Sequence, residues 1–160
     1  MDEQYEKLMQ YSLMLLAKKR YTMAEMRKKM QFYVKKRKLD EGVVSKAIER
    51  LVELRYLDDE GFARDYVNQR VKLRPRGAML IKRELKMKGL KEKLIDEVLK
   101  DSEIDEIEMA TRLLEKKWPR WAKYKGYEKK NKAFQFLYSK GFERDAIYRS
   151  VECCYDSNSS

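Results

Sequence analysis

The amino-acid sequence predicts an all-α protein, an elongated array of three tandem three-helix repeats with about nine helices in all. Three observations predict it. Only 6 glycines and 2 prolines punctuate 160 residues, which is sparse for a chain of many short strands. Apolar residues recur at spacings of three and four along almost every segment. Stretches about fifty residues apart overlay one another, as stacked repeats do. With 43% hydrophobic residues the chain has the apolar content to fold, and 41% charged residues give it a heavily solvated surface. A chain of this length buries roughly 70% of its unfolded surface without staples.

The first helix carries Tyr5, Leu8, Met9, Ser12, Leu15 and Leu16 on one stripe and ends at "KKRYT". Thr22, with Glu25 three residues later, matches a capping box. It opens a second helix with Met26, Met30, Tyr33 and Val34 on one face. A basic loop, "KKRKLDEG", leads to a third helix with Val44, Ala47, Ile48, Leu51 and Val52. Asp58 or Asp59 can cap the fourth, whose inner face is Phe62, Ala63, Tyr66, Val67 and Val71. Arg74-Pro75 breaks it. A fifth helix, from about Ala78 to Lys88, shows Ala78, Ile81 and Leu85, and Gly89 suits its end. Leu94, Ile95, Val98 and Leu99 mark a sixth. Ile104, Ile107, Thr111, Leu114 and Trp118 mark a longer seventh, stopped by Pro119. Ala133, Phe134, Leu137 and Tyr138 precede a stop at Gly141. Ala146, Ile147, Ser150 and Val151 form the last stripe.

The repeat is visible residue by residue. At an offset of 52, Ile81 meets Ala133, Leu85 meets Leu137, Lys88-Gly89-Leu90 meets Lys140-Gly141-Phe142, and Ile95 meets Ile147. At an offset of 47, Gly89, Leu90, Leu94, Ile95 and Val98 fall on Gly42, Val43, Ala47, Ile48 and Leu51. The expected units are residues 1–57, 58–101 and 102–155, followed by a frayed tail over 156–160. Each unit buries too little alone, so neighbours must stack.

The formal net charge of +11 calls for an acidic partner, nucleic acid first. The charge is segregated. Residues 18–38 hold ten basic residues and one acid, residues 70–93 ten and two, residues 112–132 nine and two. One basic block per repeat can line up as a positive stripe suited to a polyanion. Within "RPRGAMLIKREL" (Arg74 to Leu85), Ala78, Ile81 and Leu85 share one arc of the helix. Lys82, Arg83 and, one residue beyond the stretch, Lys86 fall on the opposite arc, with Met79 among them. Backbone N–H groups at the start of this helix, after Arg74, Arg76 and Gly77, would add to an anion-friendly site. "KKWPRWAKYKGYEKK" interleaves Trp118, Trp121, Tyr124 and Tyr127 with cations. Such aromatics can stack bases of a single strand, or they can be anchors packed between repeats, the more frequent use.

Several chemistries are disfavoured. The chain has no histidine, so the commonest general base and metal ligand are missing. Asp58-Asp59 is the best carboxylate pair for Mg²⁺, but its place before a helix favours capping. Adjacent Cys153 and Cys154 lack the spacing of a zinc site and make a poor disulfide framework. No apolar run reaches the ~18 residues of a membrane span. The expectation is a cytoplasmic, non-enzymatic protein without cofactor or metal, monomeric in solution and not membrane-bound.

Tyr56 to Leu90 resembles the central signature of the RecX proteins, bacterial regulators of the RecA recombinase. The positions that match are Leu57, Asp58, Asp59, Phe62, Ala63, Arg70, Gly77, Ile81, Glu84, Leu85, Lys88 and Gly89. "TMAEMRKKM" resembles the first-repeat motif, with Met26 and Met30 in place of leucines, and "LYSKGFERDAI", with Gly141 and Phe142, resembles the third. The similarity runs from about Leu13 to Val151. It implies a curved array of three three-helix repeats lying in the groove of the RecA–DNA filament. It also implies contact with single- and double-stranded DNA and modulation, usually inhibition, of ATPase and strand exchange. Arg70, Arg74, Arg76, Lys82, Arg83, Lys86, Lys88 and Lys117 are the expected contact residues. Gly77 and Gly89 would set helix entry and exit, and Asp59 would cap. Family members often carry basic residues where this chain has Met79 and Leu80. The alternative is a basic helical-repeat DNA-binding protein with no recombinase partner.

Overall fold

The structure, a computed structural model, describes residues 2–157. Among them lie nine α-helices and no strand. The first unit holds α1 (Asp2–Leu16), α2 (Met23–Lys36) and α3 (Gly42–Glu53). The second holds α4 (Asp59–Lys72), α5 (Ala78–Met87) and α6 (Glu92–Asp101). The third holds α7 (Glu106–Lys117), α8 (Tyr127–Ser139) and α9 (Arg144–Ser157), with a 3-10 turn over Trp118–Trp121. The frayed tail expected over 156–160 falls largely outside the described residues, and α9 itself runs through Asp156 to Ser157.

Local chemistry sets the boundaries. The capping box at Thr22 and Glu25 forms as the spacing predicts. Asp58 caps α4 by accepting from Gly61 N at 3.1 Å, and Asp105 caps α7 through Glu108 N at 3.1 Å. The turn between second and third helix of each unit holds one residue in the left-handed region: Lys38 (φ 56°), Gly89 (φ 85°) and Gly141 (φ 87°). Leu39, Leu90 and Phe142 follow them and turn inward. The partner of Gly89 in the first unit is therefore Lys38, four residues before Gly42, which is the first residue of α3. Offsets of 47 and 51 differ by about one helical turn, so both lay apolar residues over apolar residues. The glycine favoured the wrong one.

Each unit has its own core. Leu8, Met26, Met30, Val34, Ile48 and Leu51 fill the first. Ala63, Val67, Ile81, Leu85 and Ile95 fill the second, and Leu114, Trp118, Leu137, Phe142 and Ile147 the third. Each fully buried Leu or Ile contributes about 1.5–3 kcal/mol relative to exposure. Helices pack chiefly on helices of their own unit. Val71 and Ile104 touch both second and third cores and carry apolar contact across that boundary.

Candidate functional site

The two junctions between units are built alike. At the first, the Thr22 hydroxyl donates to the carbonyl of Lys88 at 2.6 Å, and Asp59 accepts from Met23 N at 2.8 Å. At the second, Gly77 N donates to the carbonyl of Lys140 at 2.8 Å, and Glu106 accepts from Ala78 N at 2.7 Å. In each case a carboxylate from the first helix of one unit holds the start of the middle helix of the unit before. That middle helix begins against the turn that ends the next middle helix. The middle helices therefore run end to end, α8 into α5 into α2.

The junctions leave no room for side chains. A Cβ on Gly89 would lie 2.3 Å from Ala24 Cβ, and one on Gly141 would lie 2.2 Å from Leu80 Cβ. A Cβ on Gly77 would lie 2.1 Å from the carbonyl oxygen of Gly141. Ala24 and Leu80 must sit at this seam, which gives a packing reason for the apolar Leu80 after the second-unit glycine. Asp59 titrates above its ordinary value because burial penalises its charge, with Asp58 and Glu25 adding repulsion. Glu106 is raised for the same reason, with Glu143 adding to it. Thus Asp59 does cap, but it caps α2 rather than its own helix. The helix start after Gly77 does hold an anion, and that anion is Glu106 of the same chain. Asp58 and Asp59 are both committed to backbone N–H groups, and no cluster of three acidic or sulfur ligands suited to a metal occurs among the described residues.

The line of middle helices is basic. α2 carries five basic residues against Glu25, α5 three against Glu84, and α8 three against Glu128. The acids lie mostly on the first and third helices of the units, four on α6 and three each on α1, α4, α7 and α9. A cleft of about 570 Å³ opens where α5 meets α2, with Lys28 and Met87 on its walls. Its counterpart where α8 meets α5 measures about 260 Å³ and has Met79, Arg83 and Tyr138. Lys28 and Arg83 hold equivalent places in their units, a pairing visible in the sequence once α2 is laid over α5.

The eight expected contact residues divide into four groups. Arg83 and Arg74 are exposed, and neither makes an ion pair among the described residues. Lys82 bridges Glu92 (3.1 Å) and Asp96 (2.8 Å), and Lys86 bridges Glu92 (3.4 Å). These hydrogen bonds, Asp96 first, raise the Lys82 pKa, and Lys82 and Lys86 lower that of Glu92. Such exposed pairs are worth about 0–1 kcal/mol, so an external anion can take over the ammonium groups.

Arg70 and Lys88 work inside the fold. Arg70 pairs with Glu84 at 3.1 Å, both about a quarter exposed. Tyr66 donates its hydroxyl to Glu84 and accepts from Arg70 at 3.0 Å, which ties α4 to α5. Burial, then the bond to Glu84, raises the Tyr66 pKa. Lys88 stands 3.9 Å from Glu25 and over the ring of Phe62 at 5.7 Å. Arg76 and Lys117 form the last group, beside Lys140. The pKa of Lys140 is lowered by burial and by the repulsion of Arg76 and Lys117. Lys117 and Lys140 share the Phe136 ring, 5.5 and 5.7 Å from its centre. Sequence reasoning missed Lys140, although it aligns with Lys88.

Ala63, Ile81, Leu85 and Phe142 are buried and Phe62 is half-buried. Trp118 is 6% exposed and belongs to the third core, as an anchor does, whereas Tyr127 is 82% exposed. Cys154 is buried, and its thiol is pushed up to about 11 by burial. No helix among the described residues is long and apolar enough to cross a membrane.

Comparison with known proteins agrees with this architecture. The family description "RecX, second three-helix domain" matches residues 58–99, and "RecX, third three-helix domain" matches residues 103–151. The curated protein "Regulatory protein RecX" of Haemophilus influenzae (strain PittEE) is 35% identical over 136 residues, 84% of this chain and 86% of that protein. The protein of the same name from Chlorobaculum tepidum is 32% identical over 142 residues, 89% of this chain and 84% of the relative. The crystal structure of RecX from Lactobacillus salivarius superposes with a TM-score of 0.84 at 24% identity, covering 95% of this chain and 97% of that one, a likeness of fold. With two of its three units matched in order and relatives above 30% identity along most of its length, the chain belongs to the RecX family of regulatory proteins.

Proposed function

We propose that this protein regulates a RecA-type recombinase as a monomer that lies along the groove of the recombinase–DNA filament and slows its ATPase and strand exchange. The observation that carries this reading is the end-to-end line of α8, α5 and α2. It presents basic side chains at intervals set by the unit length, as a helical polyanionic filament requires. Arg83, Lys28 and Arg74 supply unneutralised charge. Lys82 and Lys86 exchange Glu92 for partner carboxylates or phosphates. Arg70 and Lys88 act indirectly, Arg70 by tying α4 to α5 within the second unit and Lys88 by pairing with Glu25 across the first junction. The role is one of binding, without catalysis. Membership of a family of regulatory proteins supports it.

The test is ATP hydrolysis by RecA on single-stranded DNA. Wild-type protein should lower the rate and shorten filament lifetime, and the Arg83→Glu/Lys28→Glu double variant should lose most of that effect while remaining folded. Unchanged hydrolysis and filament lifetime with wild-type protein would sink the proposal. A second reading, DNA binding without a recombinase, draws on the unpaired basic residues of the third unit. It predicts steeply salt-dependent DNA binding with no effect on RecA.

A further inference from the structure

The third unit carries a feature that the line of middle helices does not use. Lys116 to Lys132 contains eight basic residues. Among the described residues none of them makes an ion pair, whereas four of the ten in the second block do. Five of them, Lys117, Lys123, Lys129, Lys130 and Lys132, rest their ammonium groups on rings instead. Lys129 lies 4.4 Å from the centre of Trp118, and Lys130 lies 4.6 Å from that of Tyr155. Lys123 and Lys132 each lie 5.1 Å from the centre of Tyr124. Between these rings is a recess of about 510 Å³ lined by Trp118, Tyr124, Tyr155, Lys125 and Lys129. Gly126 is at its mouth with φ 58°, and a Cβ there would meet nothing within 4 Å.

Like charges gathered this closely repel, and two acids, Glu115 and Glu128, stand in sequence beside or among the eight cations. A polyanion offsets the excess. The aromatic walls ask in addition for a flat apolar group, and the volume is in the range of small-ligand sites. A nucleotide of an unpaired strand offers both a phosphate and an accessible ring face. A duplex keeps its ring faces stacked inside, and an acidic peptide has charge without a ring. The cations also continue past the recess on both sides, at Arg120 and Lys132, which suits a polymer better than a single nucleotide.

We propose that this recess receives one unstacked nucleotide of single-stranded nucleic acid, its base against Tyr124 and its flanking phosphates on Lys125 and Lys129. The ammonium groups that now cover the rings give up exposed cation–π contacts worth about 0.5–1 kcal/mol and gain a phosphate. This rests on the reading that the protein works on DNA, and it adds a second contact surface apart from the α8–α5–α2 line.

The full chain tests it without recombinase. Its only two tryptophans, Trp118 and Trp121, report on the recess and its flank by fluorescence. The probes are a thymidine oligonucleotide, a blunt duplex of equal length, and polyglutamate. The oligonucleotide should quench the emission. Tyr124→Ala should weaken its binding by about 5- to 150-fold, the worth of one base–aromatic stack. Duplex and polyglutamate affinities should stay within twofold. Tyr124→Phe should restore binding, which separates a lost ring face from a damaged fold. Equal losses for all three probes, or no loss for the oligonucleotide, would overturn the proposal. Because naked DNA is the ligand, this failure is distinct from a failure to act on the recombinase.

Discussion

Three glycines separate two costs that a side chain would meet at the unit junctions. Gly126 has a positive φ and open space around it. With ψ at −126°, outside the left-handed helical region, Gly126→Ala therefore meets backbone strain alone, about 1–3 kcal/mol. Gly77 has an ordinary φ of −69°, but its added methyl would sit 2.1 Å from a carbonyl oxygen of the turn it abuts. Gly77→Ala meets overlap alone, about 1–3 kcal/mol for a forced shift of packed backbone. Gly141 meets both, with φ 87° and 2.2 Å to Leu80 Cβ, 2.6 Å to Leu80 N. Gly141→Ala should then cost about 2–5 kcal/mol, roughly 4–20 °C in Tm for a chain of this size. Urea unfolding followed by tryptophan emission reports the third unit, which holds both tryptophans. Far-ultraviolet circular dichroism reports all three. Gly77 and Gly141 touch, so the double variant should cost less than the sum of the singles. If Gly141→Ala costs no more than the roughly 1–2 kcal/mol of its positive φ alone, the overlap at the close junction carries no cost and the reasoning fails.

Asp58→Ala should remove one helix cap and cost about 1 kcal/mol, measurable in the same urea titration. Asp59→Asn keeps an oxygen acceptor for Met23 N and should be milder. The Asp59→Asn/Glu106→Gln pair should also change the pH profile. Both folded carboxyls titrate above their ordinary values of 3.8 and 4.5. The unfolded chain therefore loses these protons first as pH rises, and stability from these groups falls from about pH 4 upward until the folded groups ionise. Wild-type unfolding should show that decline, and the double variant should not. Glu84→Ala should leave Arg70 and Tyr66 half-buried without their acceptor and cost about 1–3 kcal/mol. By contrast, Arg83→Glu should leave Tm within about 2 °C, given its exposed site, while weakening RecA inhibition in the ATPase assay.

The helices were legible because each unit repeats the same physical demands. Ile81 and Leu85 had to face a core, and Thr22 with Glu25 had to start a helix. The basic arc of α5 was legible too, as was the family through the stretch from Tyr56 to Leu90. Partners across the chain were not. Nothing near Lys82 in sequence announces Asp96, fourteen residues on, or its effect on the lysine's charge. Glu106 reaches back 28 residues to Ala78 N, and an unaided reading of α5 leaves that helix start open to an outside anion. Lys38 hid the true register of the first turn, because a left-handed lysine carries no signal in the sequence.

Lys38 also has a meaning of its own. At Gly89 and Gly141 the left-handed residue faces the start of another middle helix, and any side chain collides with it. At Lys38 no such helix arrives among the described residues, and a long side chain projects into solvent. The residue type at this position thus distinguishes a docked turn from an undocked one. An engineered array with an extra unit grafted ahead of α1 would need glycine at 38 before the new middle helix could seat.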